Sequence, residues 1–208
     1  MKKPILIVIA GPNGSVKTSI TTKILHHKWV EECIYINPDN IAKEKFGDWN
    51  NPKAVIDAAN LAKEIREKCI LNSKSLIFET VLSANDKIDF IIDAKNKGYF
   101  IRIFFVGTDN PSINASRIAQ RVMEGGHDVP ITKIISRYSK SIANCAVCAK
   151  IADRLYVYDN SIDFKEPALL FKISDGQTLK IYTTINKWAK LISEKFTALL
   201  EIINIGDK

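Results

Sequence analysis

Six consecutive apolar residues, Ile5 to Ala10, run directly into Gly11-Pro-Asn-Gly-Ser-Val-Lys-Thr-Ser19. The branched run predicts a parallel strand buried on both faces, and Lys17 to Lys28 reads as a helix. A glycine turn between a buried strand and a helix aims several backbone N–H groups at one point. The helix N-terminus adds its positive field there, so the junction suits a phosphate. The pattern G-x-x-x-x-G-K-[ST] is met by Gly11, Lys17 and Thr18, with Pro12, Asn13, Gly14, Ser15 and Ser19 completing the candidate cradle. Val16 stands where the pattern has its last glycine.

The strand and helix around this loop limit the fold. Further strands are predicted at Cys33–Asn37, Ser75–Thr80, Phe100–Gly107 and Asp153–Tyr158. Helical sequence lies around Ala42–Glu44, at Pro52–Leu71 and at Ala84–Lys97, and the last is closed by Gly98. Alternating strands and helices imply an α/β fold with a mostly parallel sheet, right-handed crossovers and ligands at the strand carboxyl ends. Residues 111–150 read as helices interrupted at Glu124–Pro130, and Asp175-Gly176 as the turn of a hairpin appended to the sheet. Ile185, Trp188, Ala189, Ile192, Phe196, Leu199, Leu200 and Ile203 form one stripe of a final helix, expected to dock on the sheet.

With 208 residues, 46% hydrophobic and 25% charged, the chain is expected to form one domain, 1–208, with a lid near 110–150 and the hairpin and helix near 169–205. The net charge of +7 favours anionic ligands. No stretch has the length of a membrane-spanning helix. Met1-Lys-Lys3 before an apolar run imitates a signal peptide, but that run is short and ends in the glycine loop, so a cytoplasmic protein is expected. Cys145 and Cys148 lack a second pair to complete a zinc site and read as one buried helix face. His26-His27 reads as a helix end.

In the phosphate-loop pattern Lys17 meets the terminal phosphates and the Thr18 hydroxyl ligates Mg²⁺, so ATP and Mg²⁺ are the expected cofactors. Asp39 follows the second strand. Its carboxylate could accept the proton of an attacking hydroxyl or hold a water on Mg²⁺, or it could cap a helix. Glu79-Thr80 ends the third strand before Val81-Leu82-Ser83, and a carboxylate there is costly to bury unless paired. Arg117, Arg121 and Arg137 fall in the irregular helical region. Arginines near a Gly125-Gly126 hinge would make a lid that closes over a transferring phosphoryl group.

Gly11–Ser15 with Lys17-Thr18, Ile36-Asn-Pro-Asp39, Phe78-Glu-Thr80, and Arg121 through Pro130 with Arg137-Tyr138 occur in an order that resembles the zeta-toxin family of small P-loop kinases. The resemblance spans about Lys3 to Asn160. It implies a P-loop kinase fold with a helical lid and an ATP-dependent transfer to a sugar hydroxyl of UDP-N-acetylglucosamine or a related UDP-sugar. It also implies a small antitoxin partner. By motif, Asp39 is then the general base, Lys17 binds the transferred phosphate and Thr18 the magnesium. Glu79 and Thr80, with Ser83 beside them, hold the substrate, Arg121 and Arg137 clamp phosphates, and His127 receives no chemistry. Glu79-Thr-Val departs from the family's Glu-Gly-Thr.

The residues alone leave two other classes open. One is a module that binds nucleotide or a partner without turnover, and the other is a kinase for a different small-molecule or nucleic-acid hydroxyl. No cluster of aromatics interleaved with basic residues forms a platform for nucleic acid, which ranks last. Val16 is expected to keep a helical φ and let the chain fold. Its branched side chain is expected to hinder phosphate approach, leaving ATP binding poor and activity nearly absent.

Overall fold

The computed structural model describes residues 3–47, 51–126 and 128–205. Five strands run parallel in the order β2-β3-β1-β4-β5, and an antiparallel pair, β6-β7, extends the sheet beyond β5. β1 (Ile5–Ala10) lies between β3 (Leu76–Thr80) and β4 (Phe100–Gly107), with β2 (Ile34–Ile36) at one edge and β5 (Arg154–Asp159) on the other side. Crossovers therefore leave β1 toward both sides, which opens a crevice at its carboxyl end. The expected continuous burial of β1 is observed, with Leu6 to Ala10 all inaccessible to solvent.

Successive side chains of a strand point to opposite faces, and the sheet uses that alternation to build two cores. On one face Ile7, Ile9 and Ile77 pack with Ile20 and Ile24 of α1 (Thr18–Leu25). On the other, Leu6, Val8 and Phe78 pack with α3 (Pro52–Leu71), α4 (Asn85–Asn96), α6 (Ile131–Cys148) and α7 (Lys187–Ile205). α2 (Pro38–Phe46) packs on α3. Ile118 of α5 (Pro111–Met123) joins Val129 and Ile134 in a small cluster of its own. The hairpin forms between β6 (Ala168–Ser174) and β7 (Thr178–Ile181). Ser174 pairs with Thr178, so Asp175, Gly176 and Gln177 make the turn, with positive φ at Asp175 and Gly176 and a bond from the Gln177 N–H to the Ser174 carbonyl.

Cys145 and Cys148 are buried free thiols, and burial pushes the Cys148 thiol up to about 12. His26 is the residue that ends α1. From the α7 stripe, Trp188, Ala189, Ile192 and Phe196 are buried in the core. His127 and the side chains of Leu199, Leu200 and Ile203 lie outside the described residues. Among the described residues no helix is long and apolar enough to cross a membrane.

Candidate active site

The glycine loop connects β1 to α1, and its backbone dictates two of its residues. Gly11 (φ +152°) lies so close to β4 that a Cβ would sit 2.1 Å from the Val106 carbonyl oxygen. Gly14 (φ +77°) lies under α5, where a Cβ would sit 2.5 Å from the Asn114 carbonyl oxygen. Within the loop the Ser15 N–H donates to the Pro12 carbonyl (3.2 Å). The N–H groups of Gly14, Val16, Lys17 and Thr18 donate no hydrogen bond among the described residues, which leaves a ring of donors at the start of α1.

Val16 corrects one expectation. Its φ is +59°, in the left-handed region, not helical. A β-branched residue there forces Cβ toward its own backbone at a cost of about 1–3 kcal/mol. The side chain itself projects outward, 42% exposed. The misfit of Val16 is therefore one of backbone conformation, with no methyl group wedged into a packed cradle.

Lys17 Nζ folds over the loop and donates to the carbonyls of Gly11 (3.0 Å) and Pro12 (3.4 Å). Burial lowers its pKa below the ordinary 10.5, the charges of Glu79 and Asp39 oppose that change, and Arg121 adds to it. Residues far apart in sequence thus share one electrostatic neighbourhood: the loop lysine, both carboxylates and one arginine of α5.

Glu79 is the best-anchored of them. It sits in register with Ile9 of β1, and its Oε1 accepts from the hydroxyls of Thr21 (2.7 Å) and Tyr35 (2.6 Å). Asn37 Nδ2 donates in turn to the Tyr35 oxygen (3.2 Å). Burial and the bond to Glu79 push the Tyr35 hydroxyl well above its ordinary pKa, so it stays a donor. The cost of the carboxylate at a strand end is offset by these bonds. Asn37 also settles which residue caps α2: its Oδ1 accepts from the Asp39 N–H (2.9 Å). Asp39 lies in the first turn, and its exposed carboxylate has no hydrogen bond or ion pair among the described residues.

Thr80 Oγ1 accepts from the Leu82 N–H (3.0 Å) and shapes the loop that carries Ser83. Arg121 is exposed at the end of α5, where it packs on Gly126: a Cβ there would sit 2.5 Å from its Cγ. Arg137 is half-buried on α6, one turn before Ser141, whose hydroxyl donates to the Val81 carbonyl (2.5 Å). The spacing 137, 141, 144 puts Arg137 on the helix face that meets the β3–α4 loop through Ser141 and Asn144. Arg117 is drawn elsewhere, to Asp163 (Nε, 2.7 Å) and the Asn160 carbonyl (2.8 Å).

Two asparagines went unassigned in the sequence reading. Asn114 Nδ2 donates to the Asn13 carbonyl (2.6 Å), and Asn160 Nδ2 to the Ser15 carbonyl (2.9 Å). Both are buried, and the Thr108 hydroxyl donates to Asn114 Oδ1. Holding those carbonyls inward keeps the opposite edges of the peptides, their N–H groups, turned toward the cradle. A lone Asn within a helix and another after a strand carry no spacing signal that could have announced this.

A parallel sheet with a phosphate loop after β1, a carboxylate at the end of the adjacent strand and helices over the crevice defines the P-loop kinase fold. Residues 1–164 match the family described as Zeta toxin, so the chain belongs to the zeta-toxin family, whose members are ATP-binding phosphotransferases acting on hydroxyl groups. An uncharacterised protein of Haemophilus influenzae is 30% identical over 132 residues, 64% of this chain and 91% of that protein. A structure from the PezAT chromosomal toxin-antitoxin system of Streptococcus pneumoniae superposes with a TM-score of 0.63 at 16% identity, covering 100% of this chain and 86% of that one. The AvrRxo1-ORF1:AvrRxo1-ORF2 complex with ATP gives 0.65 at 17% identity, covering 94% of this chain and 64% of that one.

Proposed function

We propose that this chain is a single-domain cytoplasmic kinase, 1–208, that uses ATP and Mg²⁺ to phosphorylate a sugar hydroxyl of UDP-N-acetylglucosamine or a related UDP-sugar. A small antitoxin is its partner, and Val16 weakens it. The observation that carries the reading is the convergence of Glu79, Asp39 and Arg121 on Lys17, whose charge each of the three acts on.

In this reading the loop N–H groups and Lys17 bind the terminal phosphates. Asp39, exposed and unpaired among the described residues, accepts the acceptor's proton as its oxygen attacks the γ-phosphorus. The bond to the bridging oxygen breaks and ADP leaves with that electron pair. Glu79, fixed through one oxygen, keeps the other for the substrate, with Thr80 and Ser83 beside it. Arg121 and Arg137 on the lid at 110–150 spread positive charge over the transferring group. The donor set suits Mg²⁺: the Thr18 hydroxyl opens α1 beside the cradle, and a hard cation needs few protein ligands where phosphates supply the rest. When bound, the ion would neutralise charge on the phosphates.

The test is incubation of the chain and its Val16→Gly form with ATP, Mg²⁺ and a panel of UDP-sugars, with products read by mass spectrometry. A phosphorylated UDP-sugar from the glycine form is expected. Tight ATP binding with transfer to none of them would overturn the UDP-sugar assignment.

A further inference from the structure

The two asparagines that grip the phosphate loop are themselves held in different ways. Asn114, on the Asn13 side, accepts from the nearby Thr108 hydroxyl, a local contact at the start of α5. Asn160, on the Ser15 side, is fixed through its backbone. Its N–H donates to the Gly107 carbonyl (2.9 Å), and its carbonyl accepts from Arg117 (2.8 Å). It follows Asp159, which ends β5 opposite Gly107, the last residue of β4. The aim of its side chain therefore depends on how the ends of those two strands are joined.

One side chain joins them. Trp188, in the first turn of α7, is buried, and its indole lies so close to Gly107 that a Cβ there would sit 2.3 Å from Cη2. From the opposite end of the ring Nε1 donates to Asp159 Oδ1 (2.9 Å). The same carboxylate accepts from the Ser161 hydroxyl (2.7 Å) and the Ser161 N–H (3.3 Å). Ser161 Oγ accepts in turn from the Asp109 N–H (2.8 Å), which ties the turn after Asn160 back to the end of β4. A buried indole N–H can only donate and needs an acceptor, and a carboxylate makes a stronger one than a neutral oxygen.

The apolar stripe of α7 accounts for the ring against Phe105 (centroids 6.1 Å apart) but not for its N–H. Trp188 also lies beyond residues 1–164, the part that matches the family. A planar peptide joins the Ser15 carbonyl to the Val16 N–H, a cradle donor without a partner among the described residues. Whatever aims Asn160 at that carbonyl (2.9 Å) sets the direction of that N–H.

We propose that Trp188 is a positioning residue for the phosphate loop. Through Asp159 and Asn160 it holds the Ser15–Val16 peptide with its N–H turned into the cradle, so the final helix contributes to nucleotide binding from outside the cradle. The inference rests on the reading of the loop as an ATP site.

The first measurement needs no nucleotide. In ¹⁵N spectra of the unliganded chain, Trp188→Phe keeps a ring in the core and removes the donor. It should displace the Val16 amide resonance, as should Asn160→Ala, and leave in place that of Gly14, whose peptide Asn114 holds. Asp159→Ala cuts the link from its other end with Trp188 intact and should move the same amide, so a poorly folded Trp188 variant does not decide the outcome. The second is a double-mutant cycle on ATP affinity, read by calorimetry in the unaltered chain and in its Val16→Gly form. Trp188→Phe should weaken ATP binding by roughly fivefold, and by nothing further once Asn160→Ala is present, whereas a merely structural role would give additive losses. A Val16 amide unmoved in both link variants, or additive losses, would overturn the proposal. If that amide moves as expected and no form of the chain binds ATP, the kinase reading fails and the brace stands.

Discussion

Two loops at the carboxyl end of the sheet each contain a left-handed residue that is not glycine: Val16 after β1 (φ +59°) and Leu82 after β3 (φ +58°). Their surroundings are opposite. Leu82 is completely buried, its N–H donates to Thr80 Oγ1, and its carbonyl accepts from Asn144 Nδ2 (2.9 Å). Packing and two hydrogen bonds over-determine that conformation, so the strain is held. At Val16 the side chain is out in solvent, and the buried grips, Asn114 and Asn160, hold the flanking residues Asn13 and Ser15. The same φ is thus part of a packed structure in one loop and an uncompensated cost in the other.

Glycine substitution should separate the two most sharply. Leu82→Gly removes a buried side chain, and the cavity should cost about 2–4 kcal/mol after strain relief. Val16→Gly should instead stabilise the chain by about 1 kcal/mol. Urea midpoints measure both, and a loss at both positions would break the comparison. The braces should divide in the same way, with effects of about 1–2 kcal/mol. Asn160→Ala should weaken ATP binding and leave acceptor binding alone, while Asn144→Ala should do the reverse, as separate KM values would report.

The smallest effect serves as a control away from both loops. Burial tends to raise the Asp153 carboxyl, but the Lys95 ammonium (2.8 Å) and the Ile101 N–H (2.7 Å) hold it below its ordinary 3.8. A folded pKa below the unfolded one adds stability above 3.8 that is lost as the pH falls through the lowered value. The stability difference between the chain and Asp153→Asn should be flat above that pH and shrink below it, in the Val16→Gly background as well.

Much of this architecture was legible in the sequence, because hydrophobic period and glycine placement report locally. α3 and β4 begin and end where the pattern places them, at Pro52–Leu71 and Phe100–Gly107. The loop, Asp39 and Glu79 were visible for the same reason, each next to a strand end. What escaped were contacts that join distant segments through single polar side chains. Tyr35 on Glu79, Asn160 on Ser15 and Arg117 on Asp163 depend on the sheet order, and no residue spacing encodes that. The left-handed φ of Val16 escaped because valine is the residue least suited to show it; a glycine there would have announced the turn.

The central claim is that the loop is a working phosphate cradle held back by one residue. Titration calorimetry of ATP with Mg²⁺ into this chain and into Val16→Gly tests it directly. Affinity at least about tenfold higher in the glycine form, a difference of roughly 1.4 kcal/mol in binding, is the predicted result. Equal affinities would contradict it.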